Sequence, residues 1–345
     1  MGTGAPPPAG PTTPHTATTR TGTGTTPSAP AQRPSRGAGR AGTGRRSARR
    51  RELVACGVLM APFFVLLAAV FLVPVGTAVW LSLFADDRSG LGFGPPNPSF
   101  VGLRSYLAVL ADPTFTAGLG RMLLFCLIYI PLLVAASLVL ALLLDSGAVR
   151  LRAWAQLGLY LPHTVPGLIA AVIWLYLYTP GISPVIDLLS RGGLQVDLLG
   201  VDTVLPSLVN VVLWSNLGYN TVIFYTALRA LPREVVEASV VDGAGPVRTA
   251  LLVKTPQIRS AVVTVVLFSL IFTLQLFTEP MLLGQSTSMI DSRFSPSMYI
   301  FDAAFNRNSY GLAAAASVVL LACTIALSYA VTRWTNRSVG PEEER

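Results

Sequence analysis

Residues Glu237 to Pro256 read EASVVDGAGPVRTALLVKTP, a polar stretch with two glycines set between long apolar segments. A bundle of membrane helices does not need such a stretch in order to fold, so it reads as a handle offered to a water-soluble partner. Pro232, Arg233 and Glu234 open a helical turn that Val235, Val236, Ala238 and Ser239 continue. Asp242, Gly243, Ala244, Gly245 and Pro246 then break it, because glycine permits turn conformations and proline cannot continue a helix. The expectation is a short helix, a tight turn at Gly243 and a second helix leading to Pro256. Glu237 is placed to cap a helix or to pair with a basic group on the partner.

The rest of the chain supplies the membrane setting. Its 345 residues are only 12% charged, and the mean hydropathy is +0.58. That is too apolar for a soluble domain of this length and fits a multi-span membrane protein. The formal charge of +8 belongs to one end: residues 1–51 hold nine Arg and no acid, and the remainder is nearly neutral. A basic tail of this kind does not point to nucleic acid. Lys254 is the only lysine, a bias toward arginine expected of a GC-rich bacterial source. Cys56, Cys126 and Cys323 are dispersed in apolar runs, and His163 is the only histidine outside the tail. No metal site and no catalytic set follow from these residues.

Six apolar segments are long enough to cross a hydrocarbon core of about 30 Å at a rise of about 1.5 Å per residue. They are Leu53–Phe84, Met122–Leu144, Trp154–Tyr178, Leu205–Leu231, Ala261–Leu283 and Gly311–Arg333. The first is expected to be interrupted at Pro74, and Pro131, Pro162 and Pro166 interrupt the second and third. Residues 1–51, rich in Pro, Gly, Thr and Arg, are expected to be a disordered basic tail. The membrane domain then runs over 52–335, with the handle at 232–256 and a short tail at 336–345. The run RRSARRRE before the first segment resembles a signal-peptide start, but the following stretch is too long and lacks a cleavage site, so it reads as an uncleaved first helix. With the N-terminus inside, inward segments carry fifteen Arg and Lys against six on outward segments. Both termini, and the Glu237 stretch between the fourth and fifth helices, are therefore expected in the cytoplasm.

Polar side chains at bilayer depth mark candidate pathway residues. The fourth segment carries Asn216, Tyr219 and Asn220, the two asparagines one turn apart on one face. The fifth carries Ser269 and Thr273 at the same spacing, then Gln275 and Glu279. Counted from the Glu237 end, Asn216, Thr273 and Gln275 lie at similar depth near the midplane. Amides and hydroxyls suit vicinal sugar hydroxyls, and Tyr219 can stack on a ring face. The competing role is hydrogen bonding between membrane helices, common for Ser, Thr and Asn. Glu279 precedes Pro280 at the outer end of its segment, where solvation accounts for its charge. Asp86, Asp87, Asp291 and Asp302 fall in outer loops.

The stretch LRALPREVVEASVVDGAG (Leu228 to Gly245) resembles the EAA coupling loop of bacterial ABC-importer permeases, with Glu237, Ala238, Ser239, Gly243, Val253 and Pro256 on the pattern and Asp242 and Gly245 within it. FVGLRSY (Phe100 to Tyr106), MYIFDAAF and YGLAAAASVVL are similar to segments of the carbohydrate-uptake permeases of the maltose and glycerol-phosphate type, in particular the first of their two permease types. LLGQST (Leu282 to Thr287) stands where that family often has Gly-Gly-Pro. The resemblance implies an all-α membrane protein with six transmembrane helices in the type I ABC importer permease fold. It implies a bacterial cytoplasmic membrane and transport of a sugar or oligosaccharide by alternating access. It further implies a cytoplasmic ATP-binding subunit, a second permease in a pseudo-twofold pair and an extracellular lipoprotein solute-binding protein. Ser269 and Thr273 correspond to polar positions where the maltose-type permeases hold substrate. The chain has no phosphate-cradling Gly-x-x-x-x-Gly-Lys-Ser/Thr loop, so no cofactor is expected on it and ATP is expected on the partner. Another cargo, such as a polyamine or a phosphorylated polyol, and an ion-coupled carrier are the alternatives. The carrier lacks support, since buried acids, histidines and internal repeats are not evident.

Overall fold

The structure is a computed structural model that describes residues 41–88, 96–147, 149–193 and 196–337. Of the expected tails, residues 1–40 and 338–345 lie outside the described residues. The chain parts into two units, Met1–Val65 and Leu66–Arg345.

Helix α1 (Ala41–Leu67) begins ten residues before the end of the tail expected to be disordered. Residues 41–51 are helical because Arg and Ala are good helix formers and the apolar helix that follows supplies the nucleus. A π-helical turn (Ala68–Leu72) and α2 (Val73–Leu81) continue it. Pro74 therefore does not end the segment: Val54–Leu81 is one apolar helix of 28 residues. The wider π-turn sits just ahead of Pro74, where the proline ring cannot join a regular ladder. Strands β1 (Phe84–Arg88) and β2 (Pro96–Phe100) form an antiparallel hairpin, a small departure from an all-helical chain. Phe84 pairs with Phe100 across it, with ring centroids 5.5 Å apart and nearly edge-on.

Helix α3 (Arg104–Ala111) leads to α4 (Pro113–Asp145), whose N-cap Asp112 accepts from the Thr114 amide at 2.8 Å. Pro131 sits inside α4 without breaking it. The third segment does break, into α5 (Arg152–Thr164) and α6 (Gly167–Tyr178), inclined at 94°. Val165 is extended, as the residue before proline prefers, and Pro166 has no N–H to carry the ladder on. Helix α7 (Pro184–Arg191) precedes α8 (Val204–Arg229). The handle folds as α9 (Arg233–Val241), α10 (Pro246–Arg248), a π-turn (Thr249–Lys254) and α11 (Thr255–Gln257). Helix α12 (Arg259–Leu274) follows at 67° to the Pro246–Gln257 stretch.

The fifth apolar segment is not one helix. It stops at Leu274 and restarts as α13 (Thr278–Leu283). Pro280 cannot donate to the Leu276 carbonyl four residues earlier, and the Ser295 hydroxyl donates to that carbonyl instead, at 2.9 Å. The chain closes with α14 (Pro296–Phe301), a π-turn (Asp302–Asn306) and α15 (Tyr310–Arg337). Among the described residues three helices are long and apolar enough to cross a membrane, and up to five spans result if each bent pair counts as one. Helix α8 is 26 residues long but is diluted by Asn210, Ser215, Asn216 and Asn220.

Helices α4, α8 and α12 pack on one another around a core that includes Phe125, Tyr129, Leu133, Leu208, Val211, Phe224, Leu270 and Leu274, all buried. Among membrane helices such contacts act through close packing rather than through exclusion of water. Helix α5 lies against α8 at Gly218, where any Cβ would collide with the Leu159 carbonyl. A second cluster joins Val109, Phe115 and Tyr299 to Ala315 and Ala316, small residues that let α3 and α14 approach α15.

Candidate functional site

The Glu237–Pro256 stretch stands out from the bundle. Gly243 has φ of +79°, in the left-handed region that glycine enters without cost. Its amide donates to the Val240 carbonyl, and the Ala244 amide reaches back to Ser239, closing the end of α9. Ser239 is buried, and its hydroxyl lies 3.3 Å from that of Thr249, pinning α9 to the returning π-turn. Glu237, Ala238, Asp242, Gly243, Gly245 and Pro256 are exposed. So are Val240, Val241, Val247, Leu251 and Leu252, an apolar surface on an otherwise polar hairpin. The second helical stretch leads from Pro246 to Pro256 as expected and stops one residue later, at Gln257.

The hairpin is tied to the bundle by an ion pair not anticipated from sequence. Lys254 Nζ lies 2.6 Å from the carboxylate of Asp145, the last residue of α4, and both side chains are largely buried. A cleft of about 280 Å³ opens beside the pair, lined by Arg229, Arg233, Glu237, Leu228 and Val236 as well. A lone lysine and an aspartate closing an apolar run were visible in sequence, but 109 residues separate them.

The polar set inside the bundle is divided among several surroundings. Asn216 and Asn220 donate to the Val212 and Asn216 carbonyls, each 2.9 Å away along α8 itself. Those amide N–H bonds are spent within one helix, not between helices. Tyr219 is 41% exposed and stacks on His163, with centroids 4.6 Å apart and planes 16° from parallel. His163 Nδ1–H donates to the Ser215 carbonyl at 3.1 Å, which fixes the ring against α8. Tyr160 meets the same imidazole edge-on. His163 is thus a partner of the candidate site that sequence reasoning left aside.

On α12, Ser269 and Thr273 are buried. The Thr273 hydroxyl has no hydrogen-bond partner of ordinary geometry, with only the Cys126 thiol of α4 beside it. Gln275 is exposed and caps the end of α12 rather than continuing it. Glu279 is half-buried on α13, not solvated as expected, with its carboxylate Oε1 2.9 Å from where a Gly167 Cβ would stand. The break between α12 and α13 turns this residue inward, against the start of α6. Asp86 and Asp87 lie in β1, but their side chains fall outside the described residues. Asp291 is exposed, its carboxylate accepting from the Arg293 amide at 3.2 Å. Asp302 is buried and paired with Arg307 at 3.0 Å rather than solvated.

Residues 137–340 match the family described as binding-protein-dependent transport system inner membrane component. The diacetylchitobiose uptake system permease protein NgcF of Streptomyces coelicolor is 28% identical over 310 residues, covering 85% of each chain. The sn-glycerol-3-phosphate transport system permease protein UgpA of Yersinia enterocolitica is 29% identical, over 82% of this chain and 94% of that one. The trehalose transport system permease protein SugA of Mycobacterium tuberculosis is 27% identical, over 83% and 89%. The fold matches a crystal structure of a bacterial ABC transporter that imports the acidic polysaccharide alginate, with a TM-score of 0.70 at 19% identity, over 85% of this chain and 98% of that one. A second structure of an alginate transporter, in complex with a periplasmic protein bound to an alginate pentasaccharide, matches with the same TM-score at 17% identity, over 86% and 98%.

Proposed function

Because the chain belongs to the binding-protein-dependent transport system inner membrane components, we propose that it is the membrane-spanning subunit of an ATP-driven importer for a sugar or oligosaccharide. The observation that carries this reading is the exposed α9–α11 hairpin. Its polar tip, left-handed Gly243 and apolar flank of Val240, Val241 and Val247 suit docking on a cytoplasmic ATP-binding subunit. ATP then belongs to that subunit, and a second permease completes the pathway. An extracellular binding protein brings cargo to it, a reading supported by the alginate transporter's complex with a pentasaccharide-bound periplasmic protein. The arginine asymmetry supports both termini and the hairpin on the cytoplasmic side.

Of the relatives' named cargoes, diacetylchitobiose and trehalose are neutral saccharides and sn-glycerol-3-phosphate is a phosphorylated polyol. The seven polar pathway candidates hold one acid, Glu279, and no base. That balance favours a neutral polyhydroxylated cargo over a phosphorylated or acidic one. Tyr219 keeps part of its surface open for a sugar ring.

Transport by alternating access follows from the covalent order of the parts. The hairpin continues directly into α12, which carries Ser269 and Thr273, and Lys254 ties it to α4. A push on the docked hairpin therefore reaches both helices that flank the buried polar groups. The test is a pull-down from mildly solubilised membranes, wild type against Gly243→Asp, with uptake of radiolabelled trehalose and diacetylchitobiose in the same cells. The expected result is an ATPase, a second permease and a binding protein with the wild type, and loss of the ATPase and of uptake in a variant that still inserts. A chain that purifies alone, or an unchanged partner set in the variant, would overturn the reading.

A further inference from the structure

At the end of the bundle nearest the Glu237–Pro256 hairpin, α12 and α15 line a cleft of about 400 Å³. Val262, Val263, Val266 and Val331 line it together with Arg259 and Trp334, and the hydroxyls of the two lining threonines, Thr255 and Thr335, donate to carbonyls of their own helical stretches. Its walls offer a soluble cargo almost no hydrogen-bonding groups. From Arg259 to Val266 the trough runs roughly 10 Å along α12. Both flanking helices belong to stretches long and apolar enough to cross a membrane, α15 by itself and α12 as part of a bent pair. No carboxylate pairs with Arg259 among the described residues, and the side chain is exposed.

We propose that this cleft is a binding site for one anionic glycerophospholipid, with an acyl chain along the valine trough and the phosphate on Arg259. Two features argue for that occupant. The polarity of the site is that of the lipid: apolar along its valines and cationic at the Arg259 end. The guanidinium has no carboxylate partner among the described residues, and it presents a planar fork of donors suited to phosphate oxygens. A tryptophan at the same level is the residue type that settles at the membrane interface. A zwitterionic lipid would fill the trough equally well but would leave the net charge of the Arg259 end unmatched.

The importer complex, purified whole in mild detergent, is exposed to phosphatidylglycerol or phosphatidylcholine, and bound lipid is counted by native mass spectrometry. The wild type is expected to retain one phosphatidylglycerol on this chain in preference to phosphatidylcholine. Arg259→Gln should weaken that retention by about fivefold, the effect of one interfacial cation on an anionic lipid, and Arg259→Lys should largely preserve it. Val263→Trp, which fills the trough and keeps the charge, should also displace the lipid. A photoreactive side chain at Val266 is expected to yield a lipid adduct in membranes. Equal retention of the two lipids, retention unchanged in Arg259→Gln and Val263→Trp, or a protein adduct at Val266 would each overturn the proposal. An assembled complex in every variant, judged by size and ATPase content, separates lipid loss from misfolding.

Discussion

Lys254 holds the Asp145 carboxylate at 2.6 Å and thereby joins the hairpin between α8 and α12 to the last residue of α4. Removing one member leaves a largely buried charge alone, which costs about 3–5 kcal/mol where burial is complete. Lys254→Met and Asp145→Asn are each expected to lower the melting temperature of the detergent-solubilised complex. The double variant should be more stable than the sum of the two losses predicts. If the pair transmits motion, each single variant should also hydrolyse ATP without matching uptake, and the swap Lys254→Asp with Asp145→Lys should restore part of it. Strict additivity of the melting shifts would show that the two groups do not interact.

Gly218 is expected to tolerate no side chain. A Cβ there meets the Leu159 carbonyl, which is backbone and cannot rotate away. Overpacking of cores costs about 1–3 kcal/mol, and a collision with main chain falls at or beyond the top of that range. Gly218→Ala should therefore separate α5 from α8, with loss of folded protein measured by fluorescence size-exclusion chromatography. Gly120→Ala is the control, since a Cβ there meets nothing within 4 Å. Equal yields of the two variants would show that α5 and α8 do not approach as described.

Asp112, at the far end of α4 from Lys254, makes a pH prediction. Burial works against its charge, but the Tyr299 hydroxyl at 2.8 Å, the Thr114 amide and the nearby Arg307 outweigh it. Its carboxyl is held below the usual carboxylate range. A lowered value means stability that is present above the unfolded value of about 3.9 and is lost as pH falls through the folded one. Between neutral pH and about pH 5 the contribution should be flat. Asp112→Asn should remove that acid-side contribution, read as a smaller drop in melting temperature below about pH 4. A steep dependence near pH 6 in the wild type would place the titrating group elsewhere.

The apolar segments and the helix–turn–helix of the handle were legible because both are local: a run of apolar residues, a proline, two glycines. What escaped was set by geometry across the chain. Pro74 and Pro131 leave continuous helices while Pro166 makes a 94° bend, because each outcome depends on what surrounds the proline. The break after Leu274 rests on the hydroxyl of Ser295, 19 residues beyond the carbonyl it serves. His163 was noticed only as a solitary histidine, yet its stacking on Tyr219 requires α5 to lie on α8, and Gly218 is what allows that. Among the pathway candidates, one-turn spacing put Asn216 and Asn220 on one face but could not show that each amide donates a hydrogen bond to its own helix.

Thr273 separates the two roles open to a polar residue in a membrane helix. If it served to hold helices together, its hydroxyl would have a partner on a neighbouring helix, a contact that averages about 0.6 kcal/mol in membrane proteins. Instead the oxygen is fully buried with no hydrogen bond of ordinary geometry, only the weakly bonding Cys126 thiol of α4 beside it. An unpartnered buried hydroxyl is itself unfavourable by about 1–3 kcal/mol in protein mutational data, and Thr273→Val removes it while keeping the shape. The variant should therefore match or exceed the wild-type melting temperature, an outcome that a helix-joining role does not allow. Uptake should nonetheless fall by about two- to tenfold if the hydroxyl meets cargo during passage, the range of one hydrogen bond made in place of water. Ser269→Ala, one turn away on the same helix, should behave alike if both line the pathway. A more stable Thr273→Val variant with full uptake would remove Thr273 from the pathway, leaving Asn216, Asn220 and Tyr219 to carry the cargo contacts.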